Sequence, residues 1–264
     1  MAKPLVSDEL WAVVGPLLPP DPPHPRGGRP RVPARAALTG ILFVLKTGLP
    51  WEDLPQEMGC GAGMTCWRRL RAGQQAGVWQ RLQEVLLQRL HCAHKIRWDR
   101  VVIASSRVPA PAGGEATGPN PTDHGKTGTQ HHVLTDGAGL PLVVSQTGAN
   151  RPEGEQLVPL VDAIPPLQGA TGRPRQRPEK AHADKAYDWA AIRAALRQRG
   201  IQVRIARKGI ESAERLGRWR WVVERTISWL HRFRRLRIRY ERDDQMHQAF
   251  LTLGASMILW HAAQ

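Results

Sequence analysis

Residues 219–240, WRWVVERTISWLHRFRRLRIRY, constrain the fold of this chain more than any other stretch, because a helical period runs through them with a single acid among arginines. At about 100° per residue, Trp219, Val222, Val223, Thr226, Leu230 and Phe233 share one face. Arg220, Glu224, His231 and Arg235 form a polar stripe beside it, with Ser228 nearby. Two readings of the stripe are open. Its charges are merely solvated, or Glu224, kept ionised by the surrounding cations, holds a divalent metal next to a phosphate. The rest of the chain has to decide between them.

At 264 residues the chain can bury a full core and divide into a small region and a larger one. Lys and Arg number 38 against 23 acids, a net charge of +15, which points to a polyanionic partner such as nucleic acid. A membrane surface is the competing partner. No apolar run approaches the ~20 residues that span a bilayer, and Lys46 interrupts the best one. The N-terminus carries Asp8 and Glu9 where a signal peptide has its apolar segment, so a cytoplasmic location is expected. Cys60, Cys66 and Cys92 are too few and too irregular for a disulfide framework. His91 and His94 flank Cys92 without a second ligand pair at zinc-finger spacing, so core thiols and a surface histidine pair are expected.

Residues 1–95 predict a small helical region. Leu10, Trp11, Val14, Leu17 and Leu18 recur at helical spacing after Ser7, which supplies a start signal. Residues 19–33 hold too much proline and glycine for regular structure, and Arg26, Arg29 and Arg31 suit either a phosphate backbone or a plain basic linker. A second, strongly apolar helix over 34–47 ends at Gly48. A short helix over 51–58, a glycine turn over 59–63 and a basic helix over 64–72 carrying Arg68, Arg69 and Arg71 are the parts of a helix-turn-helix. The same parts suit a protein-contact bundle. A closing helix is expected over 79–90.

Residues 96–264 predict an α/β domain. Strands are expected at 98–106, 130–135, 140–147, 180–184 and 201–206, with a long loop over 107–129. Helices are expected at 153–164, kinked or shifted by Pro159, and at 189–199, before the helix around Glu224. The order β-β-β-α-β-α-β-α is the layout of a ribonuclease-H-like mixed sheet flanked by helices. Two-metal nucleases of that layout place carboxylates on the first strand, at the end of the fourth and on a late helix. Metals about 3.5–4 Å apart then clamp the attacking and leaving oxygens of a phosphodiester. Asp184 and Glu224 occupy two of those three places.

The chain resembles the DDE transposases of bacterial insertion sequences, in the branch called family five. The matching segments are GGEATGPNPTDHGKTG at 113–128, LTDGAGLPL at 134–142, TGAN at 147–150, HADKAYD at 182–188 and the run at 219–242, together with SDELW, GRPR and LPWEDLP in the N-terminal region. The resemblance implies binding of transposon-end double-stranded DNA, Mg²⁺-dependent hydrolysis of the phosphodiester at each end, and attack of the freed 3′-hydroxyl on target DNA. It also implies a homo-oligomer bridging two ends. Asp184 matches the family's second catalytic Asp, Glu224 its catalytic Glu, and Arg220 the basic member four residues earlier; His231, placed in the same stripe by helical spacing, is expected to support them.

The first acid departs from the pattern. Where the family has Asp-Ser-Ser, a variable residue and Val-Arg-Ala, this chain has Ala104-Ser105-Ser106-Arg107-Val108-Pro109-Ala110. Ala104 therefore stands in place of a carboxylate that bridges both ions, so metal affinity is expected to weaken. Asp99 lies an odd number of steps away and faces the opposite side of a strand; Glu115, Asp123 and His124 in the following loop are the other candidate replacements. Three readings follow: a transposase with a replacement ligand, an inactive relative that still binds DNA, or a basic RNA-associated scaffold.

Overall fold

The valine-rich run after Trp98 becomes the central strand of a mixed sheet. In a computed structural model, which describes residues 4–20, 30–169, 171–207 and 217–264, strand β1 is Val101–Pro109. On one side β1 pairs antiparallel with β3 (Thr127–Asp136), which also pairs with β4 (Pro141–Gly148) and with the two-residue β2 (Gly118–Pro119). On the other side it pairs in parallel with β5 (Lys180–Ala183), and β5 in parallel with β6 (Gln202–Ile205). Parallel neighbours need crossovers, and helices α5 (Leu157–Asp162) and α6 (Ala190–Gln198) supply them. This is the ribonuclease-H-like order that the sequence predicts. Pro159 sits in the first turn of α5, where a missing N–H costs little, and a 3₁₀ turn over Glu153–Gln156 precedes it.

The N-terminal region holds α1 (Asp8–Val14), α2 (Ala34–Thr47), α3 (Gly63–Gln75) and α4 (Val78–Cys92). Ser7 caps α1 by accepting from Leu10 N–H, and Gly48 closes α2 in the left-handed conformation. The helix expected over 51–58 is instead two 3₁₀ turns, Trp51–Asp53 and Gln56–Met58. Pro55 explains the break: it has no N–H to donate and disfavours helical backbone at Leu54, which is extended at ψ 118°. The connection from α2 to α3 is therefore longer than the glycine turn of the sequence reading. Cys60 and Cys66 are buried as expected, but Cys92 is exposed.

The helical region and the sheet share one apolar core running from Val6 to Trp260. The link is α8 (Asp244–Ala263), a helix that the sequence reading leaves unassigned, which packs against α3, α4, β4 and α7 (Gly217–Leu230). Gln83 of α4, itself buried, donates to the carbonyls of Pro141 and Leu142. Among the described residues no helix is long and apolar enough to cross a membrane.

Candidate functional site

Strand β5 ends at Ala183, and Asp184 caps the 3₁₀ turn that follows, its Oδ1 accepting from Ala186 N–H at 2.8 Å. The parallel register sets Val101 beside Ala181 and Val102 beside His182. The pairing ends there; by alternation along each strand, Ala104 on β1 points to the same side of the sheet as Val102, the side toward which Asp184, the residue after β5, begins its turn. Ala104 is only 8 % exposed.

Helix α7 (Gly217–Leu230) lies across β1, β3 and β5. Val222, Val223, Thr226 and Leu230 are its buried positions, as the period predicts, while the side chain of Trp219 lies outside the described residues. Two contacts fix the helix on the β3–β4 turn: Thr226 Oγ1 donates to the Gly139 carbonyl at 2.6 Å, and Arg225 Nη2 donates to the Ala138 carbonyl at 2.6 Å. This seating leaves Glu224 exposed, with Arg220 one turn earlier. Arg220 Nη2 stands 3.2 Å from Glu224 Oε1 and 3.8 Å from Asp184 Oδ2. The two carboxylate oxygens therefore lie no more than 7.0 Å apart, the sum of the two contacts.

His231 does not join them. It follows the last turn of α7, and its ring meets that of His131 edge-on at 6.3 Å; burial first, then Arg237, lowers its pKa. Arg235 leaves the stripe as well, because α7 stops at Leu230 and Phe233 is extended. Arg235 is buried and belongs to a network that sequence reasoning missed. Its Nε donates to Glu241 at 2.7 Å and its Nη1 to the carbonyls of Gly48 and Leu49. Glu241 in turn accepts from His247 Nδ1 at 3.1 Å, and His247 Nε2 meets His131 Nε2 at 2.8 Å. Because a carboxylate only accepts, His247 carries its proton on Nδ1, and His131 donates between the two rings. Burial alone raises the Glu241 carboxyl, but the His247 hydrogen bond and the Arg235 charge outweigh it and hold it below the usual value. These four residues have no spacing that marks them in the sequence.

On the opposite face of β1, Tyr187 is buried with its hydroxyl near Ser105. Burial first, then the charges of Glu153 and Asp184, raises its pKa. Glu153 pairs with Arg107 at 3.1 Å. Ser105, Tyr187 and Glu153 thus line the back of the strand ends that carry Ala104 and Asp184.

The acids considered as replacements for a first carboxylate go elsewhere. Asp99 pairs with Arg97 and Arg100, and Asp123 with Lys126. Glu115 groups with Asp243 and Asp244, their ligand atoms all within 4.8 Å of one another, a set able to coordinate a divalent ion. The backbone there is held by Arg239, fully buried, which donates to the carbonyls of Glu115, Ala116 and Glu241. Among the described residues no third His, Cys, Asp or Glu completes a metal-binding group with Asp184 and Glu224. With a methyl group at 104, a guanidinium between the two acids and Asp184 Oδ1 already engaged, the described residues do not fit a two-metal centre.

Of the basic residues, Arg26 and Arg29 lie outside the described residues. Arg31 is exposed, and Arg69 is half-buried with Nη2 reaching the Val32 carbonyl. Arg68 and Arg71 are exposed on α3 in line with Met64 and Gln75, at helical spacing, and Arg71 lies over the Trp67 ring at 5.4 Å. Arg68 and Arg71 thus give this outward face of α3 its positive charge, between an exposed Met64 and Gln75.

Residues 99–260 match the family described as Transposase DDE domain. The chain belongs to the DDE transposase family. Residues 6–83 match a second family, described as Putative transposase of IS4/5 family. Among curated relatives, a putative transposase for insertion sequence element IS402 from Burkholderia cepacia is 51% identical over 162 residues, 61% of this chain and 75% of that protein. An uncharacterized 16.2 kDa protein of the same element is 55% identical over 123 residues, 46% of this chain and 84% of that protein. A pre-cleavage Mos1 transpososome overlaps 92% of this chain and 83% of the solved one at 13% identity, but at a TM-score of 0.29 the overlap carries no structural argument.

Proposed function

We propose that this DDE transposase binds the double-stranded DNA ends of an insertion sequence through α3 and the basic N-terminal stretch, and presents a phosphodiester to the face carrying Asp184, Arg220 and Glu224. The observation that carries the reading is the convergence of Asp184 and Glu224 on one guanidinium, beside the strand that carries Ala104. Asp184 and Glu224 are the acids of strand cleavage and transfer, and Arg68, Arg71 and Arg31 are phosphate contacts. The family's reaction uses a divalent ion, Mg²⁺ by resemblance, held by three acids. With Ala104 in place of one of them, cleavage by this chain is impaired, while DNA binding depends on the arginines and persists. A homo-oligomer on two ends and a cytoplasmic location complete the proposal.

The test is binding of the purified full chain to a duplex carrying the terminal repeat that flanks its gene, titrated with salt and compared with an RNA duplex. Tighter binding of the DNA, with a logarithmic salt slope of about 0.9 per phosphate contacted, is expected. Equal or tighter binding of the RNA duplex overturns the proposal in favour of an RNA-associated scaffold.

A further inference from the structure

Resting on the proposed pairing of copies on two DNA ends, we infer that two copies of this chain meet through the apolar groove between α1, α2 and the end of α8, each setting its turn over 49–53 into the groove of the other. The groove has a volume of about 670 Å³, with Leu42, Phe233, Met257 and Trp260 in its apolar floor. Over Phe233 it continues into a second hollow of about 510 Å³ that takes in Trp229 and Ile258. Lys46 and Arg232 stand at its rim, both exposed and neither with an ion pair or side-chain hydrogen bond among the described residues. Glu9 also lines it, so two cations against one acid leave the groove positive. An apolar floor gives a DNA backbone nothing to bond, whereas an apolar core with a charged rim is the anatomy of a protein interface.

Charge complementarity names the occupant. A chain of net charge +15 repels its own copies, so a contact between them has to set acids of one against cations of the other. The turn that follows α2 carries what the groove calls for. Pro50 is exposed and Leu49 and Trp51 are half-buried, next to the exposed acids Glu52, Asp53 and Glu57. None of these three carboxylates has a partner among the described residues. Groove and turn belong to one continuous surface: Arg235 Nη1 donates to the carbonyls of Gly48 and Leu49, which ties the turn to the segment that begins at Arg232 and Phe233. A surface that carries a groove and its complement side by side is self-complementary about a two-fold axis.

Sedimentation velocity on the full chain over a dilution series, first without DNA and then with the terminal-repeat duplex, tests the pairing. Wild type is expected to dimerise, in solution or on the duplex, and to dissociate on dilution. Lys46→Glu/Arg232→Glu and, separately, Glu52→Lys/Asp53→Lys should each raise the dissociation constant by about tenfold or more, because contacts that attracted now repel. An equimolar mixture of the two variants should recover dimers, since in a two-fold pair of unlike copies both contacts again join opposite charges. Thermal melting like that of wild type shows each variant to be folded, and Glu52→Lys/Asp53→Lys adds cations, so weaker DNA binding does not explain its loss of pairing on the duplex. Wild type that stays monomeric with and without duplex leaves the groove to an acidic partner of another kind and overturns the inference. Folded variants that dimerise like wild type, or a mixture that associates no better than its components, overturn it as well. Failure to bind the duplex while the pairing and its charge reversal hold in solution counts against the proposed function alone.

Discussion

Replacing Glu241 with leucine should remove the centre of the buried network that joins the helical region to the sheet. The carboxylate is shared: Oε1 receives Arg235 at 2.7 Å and Oε2 receives His247 at 3.1 Å. Arg235 is only 7% exposed at its side chain and His247 is fully buried, so neither lost bond is replaced by water. Breaking a buried ion pair by removing one partner costs about 3–5 kcal/mol, because an uncompensated charge stays behind. Unfolding entropy of about 2.1 cal/mol/K per residue gives roughly 0.55 kcal/mol/K for a chain of this length, so Tm should fall by about 5–9 °C. Differential scanning calorimetry measures the drop. The double variant Arg235→Met/Glu241→Leu removes both charges and should recover most of the loss, leaving about 1–2 kcal/mol for the unbonded His247 N–H and the Gly48 and Leu49 carbonyls. A loss below about 1 kcal/mol in Glu241→Leu, or a double variant worse than the two singles added, refutes the reasoning.

Paired replacement of Arg68 and Arg71 by alanine should weaken duplex binding at all sequences and reduce its logarithmic salt slope by about 2, as two lost phosphate contacts require; an unchanged slope on filter binding removes α3 from the interface. Gly63→Ala should displace the start of α3, since an added Cβ would sit 1.7 Å from the Trp51 carbonyl oxygen; a Tm within 1–2 °C of wild type, roughly the effect of a neutral surface change, contradicts that close approach. Stability should fall as pH drops below about 6.5. Burial lowers the folded-state pKa of His131 and His247 and brings His132 and His182 down to about 4. The unfolded chain therefore binds more protons across that window, and the stability present above pH 6.5 is lost toward pH 4. Urea midpoints that do not change between pH 7 and pH 5 count against it.

The order of strands was legible because β-branched runs and glycine turns are local signals, and Asp184 and Glu224 stood out as acids at a strand end and on an amphipathic helix. What escaped reading was tertiary. Helix α8 is buried nearly all round from Met246 to Trp260, so it shows no apolar stripe for periodicity to detect. The helical pattern continues past Leu230, yet the chain turns there, because Arg235 and Arg239 reach carbonyls and Glu241 in the core. Those bonds outweigh local propensity and exist only once the fold has formed. His231 was placed with Glu224 by spacing alone, and the end of the helix redirects it toward His131.

By resemblance to the family, the methyl group of Ala104 stands in the place of a carboxylate, and on the proposed function its absence impairs cleavage. Cleavage of the flanking terminal-repeat duplex by the full chain in Mg²⁺, wild type against Ala104→Asp, tests it most directly. Strand cleavage in the variant should be at least about a hundredfold faster than in the wild type, the scale of a lost electrostatic group in a preorganised site. Wild-type protein that cuts the duplex as fast as the variant contradicts it.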